Sequence, residues 1–108
     1  MPKNVIAFRR KALEDIEGIV RYIAADSPRA AQAFREALEQ TCAVLADMLD
    51  MGMDRNFGHP RLTDIRLWPL RQFEKYLLVY RTQGETLDII RVVHGARDLP
   101  ALFGDSSD

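Results

Sequence analysis

The 108-residue sequence has a single cysteine, Cys42, so no disulfide can form within the chain. It has one tryptophan and two histidines. His59 and His94 lack a third ligand at metal-binding spacing, so no metal site is expected. There is no glycine-rich phosphate loop, no Ser-His-Asp set and no cysteine cluster, and no cofactor is expected. No apolar run approaches the roughly 20 residues that cross a bilayer, and no secretory leader pattern is legible. These absences predict a soluble protein of the reducing cytoplasm. Repeats and low-complexity tracts are missing too.

What is present suits one globular domain. Hydrophobic residues make up 47%, an ordinary share that supports a real core. The formal net charge is −1, but it is unevenly spread. From Arg55 to Arg97 there are eight Arg or Lys and four acids. The second half is therefore basic and the first half acidic, a hint that one face meets an acidic partner.

Val5, Ile6 and Phe8 give a short, partly alternating run, read as a first strand over Asn4 to Arg9. Lys11 to Ala25 has helical periodicity. Leu13, Ile16, Val20 and Ile23 share a face with Ile19 beside them, and Glu14, Asp15, Glu17 and Arg21 take the wet side. Gly18 costs about 1 kcal/mol against Ala there and suggests close approach to a neighbour. Ser27-Pro28 then pairs an N-cap residue with the proline favoured at a first helical position. A second helix follows over Arg29 to Leu49, with Ala30, Phe34, Ala37, Leu38, Cys42, Leu45 and Leu49 on one stripe. Cys42 on that stripe reads as a small buried hydrophobe. The short link makes the two helices an antiparallel hairpin. Met48, Met51 and Met53 are expected to plug the end of the core, with Gly52 as the helix stop and Asp54 to Thr63 as a loop.

The basic half reads as strands. Ile65 to Arg71 alternates, with Ile65 and Leu67 one way and Arg66, Trp68 and Leu70 the other. Pro69 cannot donate to a ladder, so this strand belongs at an edge. Tyr76 to Arg81 and Leu87 to Val93 are rich in Tyr, Leu, Ile and Val, and Thr82-Gln83-Gly84-Glu85 between them is a hairpin loop. Simple alternation puts Ile89, Arg91 and Val93 on one side and Ile90, Val92 and His94 on the other. After His94, Gly95 permits a sharp turn. Asp98 is placed to cap a final turn over Leu99 to Phe103, with Pro100 in its first turn. Gly104 to Asp108 reads as a disordered tail after a single domain over 1–103.

The expected fold is α+β: β-α-α-β-β-β(-α) in two layers, a helix hairpin on a small, mainly antiparallel twisted sheet. The face away from the helices keeps apolar residues beside Arg and His, which marks a partner surface.

This order, with LEDIEGIVRYIAADSPRAAQAF, the segment Ile65 to Pro69, FEKYLLVYR and IIRVVHGARDLPALF, resembles the RelE/ParE toxin superfamily of type II toxin–antitoxin modules, and the ParE branch in particular. The resemblance spans Val5 to Phe103. It implies a toxin of a plasmid-stabilising or similar module, neutralised by a cognate ParD-like antitoxin through which alone it would meet operator DNA. ParE-type members are described as inhibitors of DNA gyrase, and RelE-type members as ribosome-dependent endoribonucleases that use no metal.

Laid over Tyr76 to Phe103 without gaps, the RelE pattern puts its second-strand arginine on Leu77 and its C-terminal tyrosine on Phe103, while Arg97 is retained. Where RelE has paired lysines this chain offers Asp64 and Arg66. Losing the arginine and the proton donor forgoes charge stabilisation and roughly 10²–10⁴-fold of acid–base help. The resemblance therefore implies gyrase inhibition, with RNA cleavage as the alternative. For cleavage His94 and Arg97 are the candidate catalytic groups and Glu74 a substitute. The candidate contacts to partner or target are Arg66, Trp68, Arg81, Arg91, His94 and Arg97. A third reading is an inactive homologue that only binds the antitoxin.

Overall fold

A computed structural model describes residues 5–50 and 65–102, the last two residues of the first segment by backbone alone. The expectations for Met51, Gly52, Met53, the loop Asp54 to Thr63, Phe103 and the tail lie outside the described residues.

The elements are β1 (Val5–Phe8), α1 (Arg10–Asp26), α2 (Pro28–Asp50), β2 (Arg66–Leu70), β3 (Phe73–Gln83), β4 (Thr86–His94) and α3 (Gly95–Leu102). They form a mixed α+β fold whose four strands run in the order β1-β4-β3-β2. The β2, β3 and β4 strands make an antiparallel meander. Only β1 is parallel, pairing with the first half of β4. The α1–α2 hairpin covers one face, and β2 with Pro69 sits at the edge of the sheet.

The helix link follows its chemistry. Ser27 Oγ accepts the Ala30 N–H at 3.1 Å, and Pro28 opens α2. The stripe on α1 differs from the periodic reading by one residue. Ala12 and Ile16 are buried, whereas Leu13 is 51% exposed. On α2 the buried line is Ala31, Phe34, Ala37, Leu38, Thr41, Cys42 and Leu45. Of these, Phe34, Leu38, Cys42 and Leu45 meet Leu70, Leu78, Tyr80, Leu87, Ile89 and Val92 from the sheet. Phe34 is fully buried and receives Phe73 and Tyr76 edge-on, with ring centroids 5.3 and 5.5 Å away. Cys42 is a free thiol on this face, pushed up to about 12 chiefly by burial and secondly by the nearby Glu39 charge.

Both tight turns are built for their positions. The β3–β4 loop is shorter than the four-residue reading. It is Gly84-Glu85, and Gly84 supplies the φ of +58° that its first position requires. The β2–β3 turn holds Gln72 at φ 71°, an uncommon value for a side chain bearing a Cβ. Thr41 Oγ1 on α2 accepts the Arg71 N–H at 3.1 Å and ties that turn to the helix layer.

A bulge overturns the simple alternation of β4. Tyr80 pairs with Ile89 but Val79 pairs with Arg91, leaving Ile90 as the extra residue. Ile89 and Val92 therefore both join the helix-side core, where alternation had put them on opposite faces.

Candidate functional site

The last strand and the first helix build the site between them. Because β1 reaches only as far as Ile89, the outer edge of β4 beyond it needs another partner. Asp15 on α1 provides one, and it is not on the wet side as periodicity suggested. Its carboxylate accepts the Val92 N–H at 3.0 Å and two bonds from the Arg91 guanidinium, Nε at 2.7 Å and Nη2 at 2.9 Å. The bonds to Asp15 raise the Arg91 pKa. A second tether lies at the other end of the strand, where Arg9 donates to Asp88 from Nε at 3.2 Å and Nη2 at 2.8 Å. Asp88 is 7% exposed and also takes Arg81 at 3.5 Å.

After β4 the chain enters α3 at once. The helix starts at Gly95, three residues before the cap expected from sequence, so Pro100 sits inside it and not in its first turn. His94 is the N-cap: its Nδ1 accepts the Arg97 N–H at 3.2 Å. Asp98 reaches back from inside the helix and accepts the His94 N–H at 2.9 Å. This reciprocal arrangement satisfies two donors at a helix start. The Arg97 side chain closes on Asp98, Nε to Oδ1 at 3.0 Å, which lowers the Asp98 pKa against the opposing effect of burial. The same bond raises that of Arg97, and the phenols of Tyr76 and Tyr22 add to it. Gly95 is closely approached: a Cβ there would stand 3.1 Å from Leu77 Cδ1, so that side chain would have to shift by a few tenths of an ångström.

These contacts leave a groove of about 330 Å³ between α1 and α3. Glu14, Gly18 and Tyr22 stand at four-residue spacing along one edge of α1. Tyr76, Val92, Arg97 and Asp98 form the facing wall, with Asp15 and Ile19 below. Gly18 marks the opposite of close packing, with nothing within 4 Å of the place its Cβ would occupy. Tyr76 is held edge-on to the His94 ring at 5.5 Å. Glu14, Gly18, Tyr22 and Tyr76 carried no sequence signal as site residues, because the groove exists only once α3 folds back toward α1.

The six residues singled out from sequence are not gathered in one place. Arg97 borders the groove, and His94 reaches it only through its edge-on contact with Tyr76. Arg91 and Arg81 each face a carboxylate of the same chain. Arg66, opposite Tyr80 on β2, is half-buried. Trp68, opposite Leu78, packs partly buried against the core and borders a second groove with Val44 and Pro69. Within the basic half of the sequence, Arg81, Arg91 and Arg97 are thus answered by Asp88, Asp15 and Asp98. Among the described residues no group of three His, Cys, Asp or Glu is placed to hold a metal ion. No helix among them is long and apolar enough to cross a membrane.

The family model described as the ParE toxin of the type II toxin-antitoxin system parDE matches residues 6–99. The chain belongs to the ParE toxin family. It is a ParE-type toxin of a type II toxin–antitoxin system. A solved structure described as the chromosomal ParDE TA system from P. aeruginosa is similar in fold, with a TM-score of 0.67 over 87% of this chain and 98% of that one. Its sequence is 19% identical. No curated protein matched the sequence. The matched span of the ParE family runs from β1 through the first half of α3, so it includes both carboxylate tethers and the α3 cap.

Proposed function

We propose that this ParE-type toxin inhibits DNA gyrase and is held inactive by a cognate ParD-like antitoxin that lies directly on it. The family match over residues 6–99 carries the reading. Two features of the site support the gyrase branch over RNA cleavage. Leu77, at the position of the RelE-type arginine, is an apolar side chain packed against Gly95. His94 Nδ1 is occupied by the Arg97 N–H, and Arg97 itself is bonded to Asp98.

The antitoxin's place is suggested by the open edge of the sheet. Among the described residues nothing pairs with the outer side of β1. Val5 is 60% exposed and Ile6 37%, and Leu13 stands exposed at the start of α1. Arg10 and Lys11 are exposed beside them. An extended acidic segment can add to this edge through main-chain hydrogen bonds, seat apolar side chains on Val5 and Ile6, and meet the two cations.

The deciding experiment is a supercoiling assay with purified toxin and gyrase, run with translated mRNA mapped by primer extension in parallel. Loss of supercoiling, restored by adding the antitoxin, is the expected result. Undisturbed gyrase at saturating toxin, with mRNA cut during translation in a manner lost in His94→Ala or Arg97→Ala, replaces this reading with the endoribonuclease one. Unaffected growth on induction without antitoxin leaves an inactive homologue.

A further inference from the structure

We infer that the groove between α1 and α3 is a socket for one arginine side chain presented by a protein partner. The charges decide the class of ligand. Asp15 is engaged by Arg91 and Asp98 by Arg97. Among the described residues no ion pair claims Glu14, the remaining carboxylate on the rim, although its field reaches Arg91. The groove is left with one uncompensated negative charge. An incoming acid meets Glu14 as a like charge and finds Arg97 already neutralised.

Shape and surface narrow the choice to arginine. Tyr22 is 74% exposed, and Tyr76 stands across the groove with its ring held between Phe34 and His94. A guanidinium stacks on tyrosine faces and binds a carboxylate with two parallel donors, whereas an ammonium is a compact, strongly hydrated point charge. Glu14 and Tyr22 are separated by eight residues of helix, about 12 Å. Gly18 stands midway and leaves open space where a side chain would be. A partner's methylene stem can cross there over Ile19 while its head reaches Glu14. This assignment concerns the class of side chain and does not rest on which protein carries it.

The test is an amide NMR titration of the whole chain with N-acetyl-arginine amide, alongside the matching norleucine and aspartate amides. The arginine amide is expected to shift Gly18, Ile19 and Tyr22 saturably, and norleucine to bind about two- to fivefold more weakly, as befits a partly exposed ion pair. Glu14→Gln should remove that preference. Gly18→Leu, which fills open space on an exposed helix face, should block both ligands while the spectrum stays folded. Equal binding of arginine and norleucine, an unchanged preference in Glu14→Gln, or tighter binding of the aspartate amide each overturns the assignment, the last by making Arg97 the anchor of an anion site.

Discussion

Asp15 and Arg91 lie 76 residues apart in the chain and meet through two hydrogen bonds, at 2.7 and 2.9 Å. The same carboxylate also takes the Val92 N–H, so a single side chain joins the first helix to the open edge of the last strand. It holds the floor of the groove and closes a length of edge that β1 is too short to reach.

Asp15→Ala should therefore cost more than a surface ion pair. It leaves a partly buried guanidinium and a backbone N–H without their acceptor, a loss of roughly 2–4 kcal/mol. Asp15→Asn keeps an acceptor for one donor and should fall between. Urea unfolding of the three proteins measures this, and a loss in the alanine variant within the range of an exposed pair, about 1 kcal/mol or less, would show that the tether is incidental.

The α3 cap predicts a pH dependence whose sign is fixed. The Arg97 side-chain bond, aided by the His94 N–H, holds the Asp98 carboxyl below its ordinary value. The folded chain therefore takes up this proton less readily than the unfolded chain. Asp98's contribution is complete above the unfolded carboxylate value, about 4, and disappears as pH falls through the lower folded value. Asp98→Ala should cost about 1 kcal/mol at neutral pH, as a lost cap does. The difference from the parent protein should shrink toward zero as the pH falls through and below the carboxylate range. Thermal unfolding across that range checks it, and a difference constant with pH would assign the effect to shape instead of charge.

Cys42 should be silent in the folded protein. It is 3% exposed on α2, and burial pushes its thiol up to about 12. The thiolate is the reactive species, so iodoacetamide at neutral pH should label it only as fast as the protein opens. Labelling in denaturant should be rapid and complete. Rapid labelling under native conditions would mean that the α2 stripe is not packed on the sheet as described.

Much of this architecture was legible because it depends on near neighbours. Ser27-Pro28 announced the break between helices, Pro69 placed β2 at an edge, and Gly84 located the hairpin. The errors share a different cause. Helical periodicity gives Asp15 to solvent because its partners, Arg91 and Val92, are 76 and 77 residues away and leave no mark on that pattern. The displacement of the α1 stripe from Leu13 to Ala12 has the same origin, since the sheet decides which edge of the helix is covered. The bulge at Ile90 rests on pairing with Val79 and Tyr80, which alternation within one strand cannot reveal. The sequence marks Asp98 as a capping residue, but the N–H it accepts is that of His94 before it and not one of the turn after it, because His94 takes the N-cap position. The pairing of Arg81, Arg91 and Arg97 leaves no mark in the sequence because their counter-ions come from β4, α1 and α3, three separate stretches.

The exposed start of the fold gives the last prediction, and it tests where the antitoxin binds. Val5 is 60% exposed at the start of β1, so Val5→Lys should change toxin stability by no more than about 0.5 kcal/mol. If an acidic, extended antitoxin segment adds to β1, the same change removes an apolar seat in the centre of that contact. The complex should then dissociate about tenfold faster or more, a loss of roughly 1.4 kcal/mol. Arg10→Glu with Lys11→Glu acts differently, because rim charges govern encounter. It should slow association and flatten its dependence on salt, with a smaller effect on dissociation. Surface plasmon resonance at low and high salt separates the two effects, and backbone amides of 5–8 should gain protection from exchange in the complex. Unchanged kinetics in both variants, with no added protection at these amides, would move the antitoxin to another face of the toxin.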